Sequence, residues 1–171
     1  MRRTILISLL AVAAVAVLAG SASGERQGLL NFAQGRYGFS GTAAGSTFDV
    51  YPFTFNVRTR PDGSATGRYS YRQVRDGVEL IVSGPLTCGT IEGNQAWVGG
   101  IIEQSTRASL IGLDMWFQVQ DNDRFLIGDG GLELSSTVGA GGPGTARAYC
   151  DAAPQVLFPF FVDRGGLFVS G

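Results

Sequence analysis

Apolar and polar residues alternate with a period of two through most of the chain. In 113–119, Leu113, Met115, Phe117 and Val119 fall on one side while Asp114, Trp116 and Gln118 fall on the other, the pattern of an antiparallel strand with one solvated face. Tyr69 and Tyr71 against Arg68, Ser70 and Arg72 repeat it, as do Val78, Leu80 and Val82. In 48–57 the apolar set is Phe48 and Val50, then Phe53, Phe55 and Val57, so the parity switches across Tyr51-Pro52. A bulge or edge position at Pro52 accounts for the switch, because proline cannot donate to a sheet ladder. Further strands are predicted over 36–40, 86–91, 96–102, 132–136, 145–150, 156–162 and 167–170, with 156–162 apolar enough for burial on both sides.

Turn sequences separate these runs: Pro61-Asp62-Gly63, Asp76-Gly77, Gly93-Asn94, Asp129-Gly130-Gly131 and Arg164-Gly165-Gly166. Beyond the N-terminal segment, no stretch sustains the i, i+3, i+4, i+7 spacing of an amphipathic helix over three turns. The expectation is an all-β fold of roughly eight to ten short strands, an antiparallel β-barrel with a β-sandwich as the alternative. Gly67, Gly99 and Gly100 lie inside strand patterns, as glycines at barrel corners do. The 137–144 segment is half glycine with a proline and reads as a flexible loop.

The N-terminus has a different pattern. Arg2 and Arg3 precede an uncharged run over 4–20, and small residues follow it. These are the three parts of a secretory signal peptide, predicted to cover 1–23 and to leave 24–171 as one all-β domain. An uncleaved anchor is the alternative, since about 20 apolar residues span a bilayer, but the alanine-rich run and small exit residues suit a peptidase better. The expected location is secreted, periplasmic or cell envelope, with no membrane span after cleavage.

Composition narrows the chemistry. The chain of 171 residues carries 26 glycines, 11 phenylalanines and a formal net charge of −1, so it reads as a folded domain and not a disordered segment. All 13 basic residues are arginines, scattered singly after the first pair, and a nucleic-acid partner is therefore not expected. No histidine occurs, which removes Ser/His and Cys/His nucleophile pairs and His-containing zinc sites. No cofactor is expected. Cys88 and Cys150 are the two cysteines, and in an exported chain they point to a disulfide, with two separate thiols as the alternative.

Three stretches of the middle of the chain carry a resemblance: Val82-Ser83-Gly84-Pro85-Leu86-Thr87-Cys88, then Glu92-Gly93-Asn94-Gln95-Ala96-Trp97-Val98-Gly99-Gly100, then Val119-Gln120-Asp121-Asn122. Together they resemble a widespread group of small exported bacterial all-β proteins of unknown function, whose motifs run G-x-V-T-C-L, G-N-x-A-x-I-G-G and V-x-D-N-G-E-G. The chain departs from those motifs at Gly89, where the group has leucine, and at Asp123-Arg124, where it has glycine and an acidic residue. The resemblance implies pairing of Cys88 with Cys150 and brings no catalytic residues.

Few constellations carry chemistry. Asp121, Asp123 and Asp129 form the densest oxygen cluster and are candidate calcium ligands. EF-hand spacing is broken by Phe125 and Leu126, and a polar turn is the commoner meaning of such a run. Glu79, Glu92, Glu103 and Asp114 are the acids available for a carboxylate-dependent hydrolase, although alternation points Glu79 and Asp114 to solvent. Trp97 and Trp116 stand on the parity opposite the aliphatic set of their strands and are candidates for a ligand mouth or a partner surface. The reading is an exported, non-catalytic β-domain that binds a small apolar ligand or an envelope partner. The alternative is a secreted hydrolase or a calcium-binding envelope protein.

Overall fold

The computed structural model describes residues 31–43, 45–122, 133–136, 138–155 and 160–171. The 1–23 segment, Asp123, Asp129 and the 129–131 turn lie outside these residues. Strands β1 (Phe32–Ala43), β2 (Ser46–Thr59), β3 (Ser64–Arg75), β4 (Val78–Glu92) and β5 (Gln95–Ile101) follow one another, then β6 (Gln104–Ser105), a 3₁₀ turn over Ala108–Leu110, and β7 (Asp114–Gln120). Then come β8 (Leu134–Ser135), β9 (Gly139–Gly141), helix α1 (Thr145–Ala152), β10 (Phe160–Phe161) and β11 (Arg164–Ser170). All strands join one antiparallel sheet in the order β10-β8-β7-β5-β4-β3-β2-β1-β11, with β6 beside β4 and β9 beside β7. A sandwich of two sheets is thereby replaced by a single curled, barrel-like sheet.

The strands of the first half are longer than the turn spacing predicts. The runs around Val78 and Leu86 merge into the 15-residue β4, which passes through Gly84-Pro85 while keeping its register with β3. The parity switch at Pro52 is a bulge: the β2–β3 register shifts between Val50 and Phe53, and the β1–β2 register shifts between Tyr37 and Phe39. Gly67 and Gly100 flank further shifts, at Ser64/Gly67 and Leu86/Cys88. Such bulges bend and twist strands enough to curl a sheet. Asp76-Gly77, both at positive φ, closes the β3–β4 hairpin, as primed two-residue turns require. Arg164-Gly165-Gly166, by contrast, lies inside β11 and not in a turn.

The two ends of the sheet meet in the last dozen residues. Phe160 and Phe161 pair with β8, Asp163 N–H donates to the Gly38 carbonyl, and β11 then pairs with β1. Phe160 stacks on Phe39 at 5.3 Å and meets Phe48 edge-on at 5.1 Å, while the Tyr37 hydroxyl shares a 2.9 Å hydrogen bond with Ser135 Oγ. Of the 156–162 run expected to be buried on both sides, 156–159 lie outside the described residues; in the rest, Phe160 faces the core and Phe161 is 57% exposed. On its other edge β11 faces two carboxylates. Val169 N–H donates to Asp121 Oδ2 at 3.0 Å and Leu167 N–H to the Glu133 carboxylate at 3.1 Å.

Aromatic rings fill the interior. Phe53 and Phe55 of β2 meet Phe117 of β7 at 4.7 and 5.3 Å, and Tyr37 and Tyr71 close on Phe53 at 5.1 and 5.4 Å. Strands β2 and β7 are not neighbours in the sheet, so these contacts cross the barrel, as in small barrels packed with their own side chains.

Helix α1 corrects the expected strand over 145–150. Ala146 and Cys150, four residues apart and both buried, form its inner stripe with Cys88, and Arg147 pairs with Asp151 across one turn. The disulfide between Cys88 and Cys150 pins the helix to the outer side of β4 and β5. Gly99 leaves the room: a Cβ there would stand 2.8 Å from Cys88 Sγ and 2.9 Å from Ala146 Cβ. The glycine-rich 137–144 segment, expected as a loop, contains β9, whose Gly139 backbone lies on the Trp116 indole.

Candidate binding face

On β1, β2, β3 and β11, strand alternation places one set of residues in the core and the other outside. Ala33, Tyr37, Phe53, Phe55, Val57, Tyr69, Leu167 and Val169 point inward and are buried. The intervening positions form a continuous outer face, and register aligns its rows. Phe168, Gln34, Asn56 and Arg68 stand side by side across the four strands, and Gly166, Arg36, Thr54 and Ser70 form the next row. Arg58 lies two residues beyond Asn56 along β2, beside Phe32. Asn56 is thus the centre of a cross with Gln34 and Arg68 on its flanks, Arg58 along its own strand and Arg36 on the diagonal.

Three clefts of 360, 500 and 310 Å³ run along this face, each lined in part by Asn56. No Asp or Glu occupies an outward position on it, from Phe32 to Arg36, Thr54 to Arg58, Thr66 to Ser70 or Gly166 to Ser170. Arg68 holds Glu103 of the β5–β6 connection in an exposed 2.8 Å ion pair. Arg36 and Arg58 are exposed, and neither has an acidic partner among the described residues. At the rim, the Phe32 and Phe168 rings lie 5.5 Å apart, and Phe168 is 44% exposed. Exposed guanidiniums, primary amides and aromatic rings meet here, a set that binds anions, hydroxyls and flat apolar faces respectively.

The residues singled out from the sequence lie elsewhere. Trp97 is 2% exposed, and its indole N–H donates to the Pro154 carbonyl at 2.7 Å. Trp116 is half-buried under β9 and meets Tyr149 of α1 at 5.9 Å. The helix and β9 cover both tryptophans, so neither forms the exposed aromatic surface their parity suggested. Asp114 is turned from solvent as well: it is 8% exposed and accepts from Ala146 N–H at 3.1 Å, a carboxylate at the positive end of the helix. Glu79 pairs with Arg72 and Glu103 with Arg68, Glu92 is exposed beside the β4–β5 turn, and none of the three clefts is lined by any of the four acids.

Of the calcium candidates, Asp121 is 2% exposed with its carboxylate on β11, and Asp123 and Asp129 lie outside the described residues. Among the described residues, no three Cys, Asp or Glu side chains converge as metal ligands, and no helix is long and apolar enough to cross a membrane. The arginine face itself escapes a linear reading, because Arg36, Arg58 and Arg68 are brought together by register alone. The usable signal is that each shares the outward parity of its strand. No known protein family, curated protein or solved structure matches the chain.

Proposed function

We propose that the chain is an exported, non-catalytic β-domain that binds a partner in the cell envelope through the outer face of β11, β1, β2 and β3. The observation that carries this reading is the pair of exposed guanidiniums, Arg36 and Arg58, left without acidic partners among the described residues on strands whose outward positions here carry no Asp or Glu. An exposed charge without a partner of its own is available to an oppositely charged group and steers its approach. The filled interior favours this face over a small apolar ligand held inside the barrel. Export is supported by the N-terminal pattern and by the disulfide, which persists in oxidising compartments.

The test is co-sedimentation of the mature, disulfide-bonded protein with an envelope preparation of the cells that make it. The expected result is salt-sensitive retention that falls about tenfold in Arg36→Ala/Arg58→Ala, as loss of about 1.4 kcal/mol requires, and is unchanged in Arg107→Ala. Equal retention of all three proteins, or none of the wild type, contradicts the reading.

A further inference from the structure

We infer that the partner of this face is an acidic polysaccharide, a chain of sugars carrying carboxylates, lying across β11, β1, β2 and β3. The inference rests on the binding reading above and specifies its ligand. Its first ground is the spacing of the charges. Strands stand about 4.8 Å apart and rise about 3.4 Å per residue. On that geometry the backbone positions of Arg58 and Arg68 are about 8 Å apart, and those of Arg36 and Arg58 about 14 Å. Guanidiniums mounted at this spacing along neighbouring strands can each take a separate charge. Charges repeated along an extended chain match such a layout, with one carboxylate to each guanidinium. Arg68 already holds one carboxylate, that of Glu103, through Nη2 at 2.8 Å, which leaves Arg36 and Arg58 as the guanidiniums of this face without one.

The second ground is what lies between the charges. Gln34 and Asn56 are exposed primary amides in adjacent strands, each able to donate to and accept from hydroxyl groups. Thr54 and Ser70 add hydroxyls in the neighbouring row. Phe168, 44% exposed beside Gln34 and 5.5 Å from Phe32, adds an apolar ring of the kind that packs on the apolar face of a sugar. A polymer bound by charge alone needs neither the amides nor the rings.

Three probes distinguish the outcomes: polygalacturonate, the same polymer with its carboxylates methyl-esterified, and inorganic polyphosphate. Each is titrated calorimetrically against the mature protein with its disulfide intact. Polygalacturonate is expected to bind with an affinity that falls as salt rises. The affinity should drop at least tenfold on esterification and in Arg36→Gln/Arg58→Gln, and several-fold in Phe168→Ala. All three positions are exposed, and thermal melting checks that the variants keep the wild-type fold. Absence of polygalacturonate binding, or equal binding of the esterified polymer, overturns the inference. Tighter binding of polyphosphate with no effect of Phe168→Ala also overturns it, in favour of a general polyanion surface. If envelope retention depends on Arg36 and Arg58 while polygalacturonate fails, the sugar assignment falls and the binding face stands. If neither is observed, both fall.

Discussion

Asp121 shows how one residue's role depends on what the chain brings to it. In sequence it is the first oxygen of an Asp121, Asn122, Asp123 run, and that proximity suggests a cation. In the fold its carboxylate accepts the Val169 N–H, on an edge of β11 where another strand would otherwise supply carbonyls. A contact 48 residues away in sequence leaves no local signature. Asp121→Ala is expected to cost about 1–3 kcal/mol, the penalty for a buried N–H without an acceptor, and Asp121→Asn, which retains one, less. Urea midpoints of the two variants check this ordering. The tyrosines offer a pH test. Burial pushes the Tyr149 phenol up to about 12 and raises Tyr37, Tyr69 and Tyr71 as well. Because the folded values exceed the unfolded one, this contribution to stability is complete below about pH 10 and is lost as the pH rises through and beyond it. Alkaline ultraviolet titration should show these phenolates appearing in step with unfolding monitored by circular dichroism. Free titration of all the tyrosines in a folded protein would contradict the burial.

At the scale of elements, the strands were legible because alternation records their burial, and Pro52 even marked its bulge. Helix α1 was not. Eight residues make two turns, too few for a 3.6-residue period to be told from an alternation, and its inner stripe is only Ala146 and Cys150. What stabilises it is tertiary: Asp114 at its first turn, the space at Gly99 and the disulfide to β4. The same helix hides Trp97, which is why parity alone misplaced both tryptophans on the surface. The bridge closes a separation of 62 residues, for which chain entropy gives about 4 kcal/mol of stabilisation. Cys150→Ser is expected to lower stability by up to that amount and to red-shift tryptophan fluorescence as α1 loosens from Trp97 and Trp116. Unchanged stability and emission would show that the helix is held by its other contacts.

For the whole molecule, the fold class followed from alternation and turns, whereas the proposed binding face required the register. Scattered arginines in a linear chain became a shared surface only when β1, β2 and β3 aligned Arg36, Arg58 and Arg68 around Asn56. In the proposed account the interior rings and the outer arginines divide the labour: one side of the sheet holds the barrel together, and the other is the proposed partner surface. The most direct test of that division is covalent footprinting with an arginine-selective reagent, comparing the free protein with the protein bound to the envelope preparation. Protection confined to Arg36, Arg58 and Arg68, with Arg107 and Arg147 still reactive, is the predicted result. Continued reactivity of Arg36 and Arg58 in the bound protein, or protection centred on Arg107 or Arg147, would contradict it.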